Sequence, residues 1–426
     1  MTTQMIIALA ILILMIVMIM SDKFSFGAPS LLACCLLVLT GTSTIADAFS
    51  GFVDTNIVMI SGFLAVTAAL QKTSFMARIK GVMSDLATKG GFKAYVLILL
   101  VVMLGASVTA GVSAYYVMII TLAASIPYSK GLPNSKLVMP MGFAAGRALI
   151  PFGVAFFMGL AASLLESAGY ESSITLPRFA IVVGFVSAGY LIWALIAYRF
   201  LPDHDVAKAD AGSIMDKTSD SGEALPAWKE TCIYIATLVS IVVMLFAGSI
   251  GEAAYVTPGL ASAFLCAIGV FNFKELRGHL FSPMIVMMAS VIAVGKALAN
   301  SCFNDMGGQW AANALGGSAN IFVLTLAFCL LTSILSTVTG ATIGALFVFA
   351  PIGIATCMNL GMDPTGLAVA VTLSVFSASF LPIDGQPALI FGMGGYKLSQ
   401  FLKFSIPMYL IQMLALAAGS VIAFPV

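Results

Sequence analysis

The chain has 426 residues, of which 61% are hydrophobic and only 9% charged, and its formal net charge is +1. Ordinary soluble domains carry about 25% charged residues, so a soluble globular enzyme is excluded, and no Lys/Arg tract is present to follow a nucleic-acid backbone. Two histidines, His204 and His279, both in polar connections, leave no material for a histidine metal centre or a Ser/His/Asp triad within a membrane, and the seven cysteines form no C-x-x-C pair and read as small buried hydrophobes.

Apolar runs recur from end to end, and at ~1.5 Å per helical residue a run of about 20 crosses a ~30 Å hydrocarbon core. The first, 5–20, has no basic segment before it and no small-residue cleavage site after it, so it reads as a membrane helix and not as a signal peptide. Spans follow at 28–40 and 52–70. The next apolar region, 95–128, is too long for one helix and is broken centrally by Ser107, Thr109, Gly111 and Ser113. It reads as a re-entrant hairpin that enters and leaves from one side, an arrangement tolerated only where protein or a watery cavity satisfies the backbone. Spans at 137–164 and 179–200 complete the first half. The segment 201–225, with Asp203, Asp205, Asp210, Asp216, Asp220 and Glu223, lacks apolar periodicity and reads as a connector. The second half repeats the pattern: spans at 232–248, 253–271 and 283–298, a hairpin at 321–360 broken by Thr337, Thr339, Gly340 and Thr342, and spans at 365–381 and 402–423.

Charge placement orients this count, because short cytoplasmic loops collect Lys and Arg. With Met1 outside, every basic residue except Arg147, Arg178 and Lys296 falls in a loop assigned inside. The expected fold is an all-α polytopic membrane protein of two inverted repeats, each of five transmembrane helices plus one re-entrant hairpin. The first repeat covers 1–200 with an inside-facing hairpin near 95–128, a cytoplasmic linker covers 201–228, and the second repeat covers 229–426 with an outside-facing hairpin near 321–360. Traces of duplication remain: MISGFLAVTAALQKTSF, from Met59, matches MMASVIAVGKALANSCF, from Met287, at six of 17 positions and an offset of 228. SVTAGVSA from Ser107 aligns with TVTGATIG from Thr337 at an offset of 230, and Ile150-Pro151-Phe152-Gly153 lies close to Leu381-Pro382-Ile383-Asp384-Gly385. Five crossings per half turn the second repeat upside down, the arrangement in which secondary transporters form a site between repeats.

The candidate site follows from that arrangement. The hairpin tips offer hydroxyls and flexible backbone, and a re-entrant helix end points N–H groups at an anion while unwound carbonyls can hold a small cation. The plainer alternative is that these hydroxyls back-bond to their own broken helices. Prolines mark two helix breaks, around Pro151 and Gly153 and around Pro382, Asp384, Gly385, Gln386 and Pro387. Arg147 is an intramembrane guanidinium suited to a substrate carboxylate, and Asp384 an intramembrane carboxylate suited to Na⁺ or a proton; either could also be a structural ion pair. Substrate contacts are thus assigned to Ser107, Thr109, Gly111, Ser113, Arg147, Thr337, Thr339, Gly340, Thr342, Gln386 and Pro387, and the cation to Gly153, Asp384 and Gly385. Lys296 lies toward the end of its span, and Asp54 and Asn56 precede one and could cap it.

Three segments resemble the divalent anion:sodium symporter family of the ion-transporter superfamily: DAFSGFVDTNIVMISGFLAVTAALQKT from Asp47, GLPNSKLVMPMGFAA from Gly131 and LPIDGQPALIFGMGGYKLSQFLKFSIP from Leu381. The resemblance implies an elevator-like carrier in the cell's inner (plasma) membrane, a homodimer, moving dicarboxylates, citrate or sulfate with Na⁺. The Ser-Asn-Thr usual at both tips is replaced here by Thr109-Ala110-Gly111-Val112-Ser113 and Thr339-Gly340-Ala341-Thr342, which favours a non-standard substrate or proton coupling. The expectation is a non-enzymatic secondary transporter of small anions coupled to Na⁺ or H⁺, with no other cofactor and no metal centre. An anion exchanger is the alternative in the same class, and an anion channel the alternative in another, since re-entrant hairpins also build selectivity filters.

Overall fold

A computed structural model of the chain describes residues 3–20, 24, 27–109, 113–126, 132–150, 155–171, 174–204, 206, 225–245, 250–300, 320–339, 342–377, 380–382 and 385–425. The first half runs α1 (Thr3–Met20), α2 (Ala28–Leu39), α3 (Ile45–Ala48), a 3₁₀ turn (Ser50–Val53), α4 (Thr55–Gln71), α5 (Phe75–Lys89), α6 (Gly91–Thr109), α7 (Ser113–Ser125), α8 (Ser135–Ala144), α9 (Ala155–Ser167) and α10 (Leu176–Ala197). The second runs α11 (Ala227–Leu245), α12 (Ala253–Ala267), α13 (Phe273–Leu280), α14 (Pro283–Asn300), α15 (Ile321–Thr339), α16 (Thr342–Asn359), α17 (Thr365–Ser377), α18 (Gly385–Gly394) and α19 (Leu398–Ala423). The described residues contain no strand, and the fold is all-α.

Three helices, α6, α10 and α19, are each long and apolar enough to cross a bilayer by length and composition. The expected crossings at 137–164 and 365–381 are pairs of half-helices, α8 with α9 and α17 with α18, and the second pair runs on to Gly394. Besides the single turn of α3, two helices, α5 and α13, fall outside the expected spans because they are amphipathic and not uniformly apolar. In α5, Ile79, Met83 and Ala87 recur every fourth residue and are buried, and the helix lies along α6. In α13, Asn272 and Glu275 close a reciprocal capping box. Lys72 at the end of α4 meets the Glu275 carboxylate at 3.1 Å and holds it below the usual carboxylate range, while burial lowers His279.

The two long apolar regions hold helix pairs, α6 with α7 and α15 with α16, each pair in mutual contact. In the first pair Tyr115 donates to the Val102 carbonyl at 2.7 Å. Gly105 makes room for that ring, since a Cβ there would lie 2.1 Å from the Tyr115 hydroxyl.

Packing between helices repeats when the halves are exchanged. α4 packs on α12 as α14 packs on α2, and α1 on α14 as α11 on α4. α8 meets α18 as α17 meets α9, α7 meets α18 as α16 meets α9, and α10 and α19 pack on each other. The contacts group the helices into two sets, or bodies, that share one buried apolar cluster. One joins α1, α2, α4, α11, α12 and α14; the other joins the helix pairs, the half-helices, α10 and α19, with α9 lying between them against α4 and α14 on one side and α16 and α17 on the other. Tyr95, Phe143, Tyr190 and Phe401 are fully buried in the second body, where Tyr95 donates to the Ala194 carbonyl at 2.9 Å and so fastens α6 to α10.

The first residues of the linker lie on that same body. Val206 donates its N–H to Asn134 Oδ1 at 3.1 Å, and His204 Nε2 is 2.9 Å from the Gly394 carbonyl.

Candidate functional site

Between α8 and α9 the backbone leaves the helix at Ala145, which exposes polar groups that an apolar surrounding cannot satisfy. Ser107, on the buried face of α6, supplies what is missing. Its Oγ donates to the Met103 carbonyl at 2.8 Å and accepts the N–H groups of Leu149 at 2.8 Å and Ile150 at 2.9 Å. The Ala148 carbonyl accepts from the Ser187 hydroxyl of α10. Across this unwound stretch lies the start of α18, where the Gln386 side chain donates to the Gly142 carbonyl. A Cβ on Gly146 would lie 3.2 Å from Gln386 Oε1, so the two breaks touch through a glycine and an amide. Pro387 is buried beside it. The C-terminal end of one half-helix thus lies against the N-terminal end of a half-helix from the other half of the chain.

Arg147 lies in this junction and is only 5% exposed. Its Nη2 donates to the Ser377 carbonyl, the last residue of α17, and to Gln412 Oε1 of α19, both at 3.0 Å, and its Nη1 to the Gly146 carbonyl at 3.1 Å. Its Nε and the Gln412 Nε2 are buried donors without an acceptor. Among the described residues no carboxylate pairs with it.

Beside the second helix pair, Ser333 and Tyr409 share a hydrogen bond of 2.7 Å, and the Tyr409 ring lies 4.6 Å from that of Phe380. Ser405 donates to the Phe380 carbonyl at 2.8 Å, which ties the stretch after α17 to α19.

The expected site residues separate into three groups. Ser107, Arg147, Gln386 and Pro387 gather at the crossing of the breaks. Thr109 and Thr337 are buried and back-bond to the preceding turn, Thr109 to the Gly105 carbonyl at 2.9 Å and Thr337 to the Ser333 carbonyl at 2.8 Å. Gly111, Gly340, Gly153 and Asp384 lie outside the described residues, as do the side chains of Ser113, Thr339 and Thr342; Gly385 opens α18. Away from the junction, Lys296 donates to Ser50 Oγ at 3.0 Å, and Asp54 caps α4 through the Ile57 N–H at 3.2 Å. The sequence reading missed Gln412 and Ser377. An isolated glutamine within Met408-Tyr409-Leu410-Ile411-Gln412-Met413 was the available signal for the first, whereas Ser377 acts through its carbonyl and gave none.

Residues 16–255 match the family model described as citrate transporter. Among curated proteins, the uncharacterized transporter sll0640 of Synechocystis sp. is 29% identical over 151 residues, covering 34% of this chain and 24% of that one. The uncharacterized transporter YfbS of Escherichia coli is 28% identical over 198 residues, covering 45% and 31%. The matched segments therefore span less than a third of these relatives' lengths. Among solved structures, the YdaH transporter of Alcanivorax borkumensis superposes with a TM-score of 0.61 at 15% identity, covering 91% of this chain and 88% of its own. MtrF of Neisseria gonorrhoeae, described as illuminating a class of antimetabolite efflux pumps, superposes with a TM-score of 0.56 at 15% identity, covering 91% and 84%. At that identity the likeness concerns the fold alone.

Proposed function

The chain belongs to the citrate transporter family, and on that premise we propose that it is a multi-pass secondary transporter of small anions, a di- or tricarboxylate, sulfate or a related oxyanion, coupled to Na⁺ or H⁺. The observation that carries this reading is the junction of the two broken helices, where a buried guanidinium with no carboxylate partner among the described residues has its own Nε unmatched and lies beside the unmatched Gln412 Nε2. A buried charge without a counter-ion is costly, and an arriving anion removes that cost. The start of α18 adds the positive end of a helix dipole next to Gly146. In this reading Arg147 counters the substrate charge, Gln386 and Pro387 line the approach, and Asp384, in the adjoining break, serves the coupling ion.

The exchange-related packing supports two inverted repeats over 1–200 and 229–426, joined by the linker, and the division into two bodies supports an elevator motion of one past the other. The basic loops support a linker on the cytoplasmic side of the cell's inner membrane, and membership of the family favours a homodimer. Purified protein titrated with citrate, dicarboxylates and sulfate, with and without Na⁺ at two pH values, should rise in melting temperature with one anion class, and reconstituted vesicles should accumulate that anion. No shift and no uptake with any of them would refute the reading.

A further inference from the structure

We infer that the Arg147 guanidinium is a built-in cation that stands where a coupling cation would otherwise bind, at the point where the two broken helices end; the inference rests on the transport reading above. The C-terminal end of a helix carries roughly half a negative charge on its unpaired carbonyls, and in carriers built from broken helices such ends and the unwound carbonyls beside them hold the coupling cation. Here those groups are the Gly146 carbonyl, just past α8, and the Ser377 carbonyl, at the end of α17. Both accept from the same guanidinium, at 3.1 and 3.0 Å, and the amide oxygen of Gln412 completes the set at 3.0 Å. A cation surrounded by neutral oxygens is the coordination expected of a small metal ion, performed by a side chain.

The position argues the same way. Arg147 and Ser377 stand 230 residues apart, the offset that relates Ser107 to Thr337 in the two helix pairs. The helices on either side of the two breaks begin at the same offset, at 135 and 365 and at 155 and 385, so the contact joins corresponding positions of the two halves. One repeat supplies a charge there and the other a serine, so a single side chain serves both half-helix ends. No carboxylate among the described residues shares that charge, and Nε together with Gln412 Nε2 keeps donors in reserve. The positive charge is thus available to neutralise an anionic substrate, as a symported cation does. The junction accordingly needs no Na⁺, which leaves a proton as the ion coupled through Asp384, and removing the guanidinium should create a need for Na⁺.

The test uses the full chain reconstituted in vesicles and citrate as the probe, in NaCl against choline chloride at one pH. The expected results are equal citrate uptake and equal melting temperature of the unaltered protein in both salts. Arg147→Ser, which makes the two repeats alike at this position, should melt at lower temperature in choline chloride and be stabilised saturably by Na⁺, whereas Arg147→Lys should remain indifferent to the salt. The inference is overturned if unaltered protein loses uptake in choline chloride, or if folded Arg147→Ser responds to the two salts identically. Should Arg147→Ser fail to fold, the unaltered protein and Arg147→Lys decide: equal behaviour in the two salts supports the inference and dependence on Na⁺ defeats it. Absence of citrate, dicarboxylate and sulfate uptake in every salt would instead defeat the transport reading, and the comparison of melting temperatures would still judge the role of Arg147.

Discussion

A serine hydroxyl has one proton to give and two lone pairs to offer, and Ser107 has all three engaged, on Met103, Leu149 and Ile150. Its place in the junction is that of a brace for the unwound stretch. Ser107→Ala leaves the Ile150 N–H without an acceptor, while the Leu149 N–H keeps the Met103 carbonyl at 3.3 Å; an orphaned donor of this kind costs about 1–3 kcal/mol. We predict a fall in unfolding free energy of about 2 kcal/mol together with weakened anion binding, read by denaturant titration and by thermal shift. Ser107→Thr, which keeps the hydroxyl, should recover most of both. Equal stability of the alanine variant would show that the stretch holds itself. Thr109 and Thr337 give the contrasting result: their hydroxyls close on the turn before them, the common fate of such groups in helices. Residue type announced the polar groups in the apolar regions, but it could not say which neighbours would claim them.

At the scale of elements, close approach of backbones organises the first body. In an apolar solvent helices gain little by hiding apolar faces from one another, so small residues that admit close van der Waals packing govern association. Gly62 of α4 faces α12 so tightly that a Cβ would lie 2.3 Å from the Gly259 nitrogen and 2.6 Å from the Pro258 carbonyl carbon. Backbone cannot step aside as a flexible side chain can. Gly62→Ala should therefore separate α4 from α12 and cost about 1–3 kcal/mol, the range of overpacking. Gly259 itself has open space where its Cβ would be, so Gly259→Ala should be tolerated. Comparing the two melting temperatures checks this, and equal losses would contradict it. The same scale shows why α5 and α13 escaped the reading of the sequence. A search for uniformly apolar runs passes over helices that bury one stripe, as α5 does with Ile79, Met83 and Ala87.

At the scale of the whole molecule, α9 is the seam between the two bodies. A Cβ on Gly159 would lie 3.1 Å from Ile60 Cγ1 of α4, close enough for cysteines at both positions to approach the Cβ separation of a disulfide, about 3.5–4.5 Å. If the bodies slide past each other during transport, the double variant Ile60→Cys with Gly159→Cys should lose uptake on oxidation and regain it on reduction. The two single variants control for the native cysteines. Undiminished uptake with the cross-link formed would mean that transport proceeds without movement at this seam.

The amino-acid sequence by itself determined that this is an all-helical membrane protein, and it pointed to related halves, to an intramembrane guanidinium and to two proline-marked breaks. Those readings follow from composition, run length and periodicity, which act locally along the chain, and from a nearly constant offset between similar segments of the two halves. Only the tertiary structure decided what the polar groups do. Arg147 was legible as a charge in an apolar span, but its acceptors, Ser377 and Gln412, lie 230 and 265 residues away, and one of them is a carbonyl that every residue possesses. Ser107 was legible as a hydroxyl at a hairpin, but the N–H groups that fill its lone pairs lie 42 and 43 residues on. Hydrogen bonds of this kind depend on which backbone groups a break leaves unpaired and on which side chains the packing brings to them, and neither is written in the order of the residues alone.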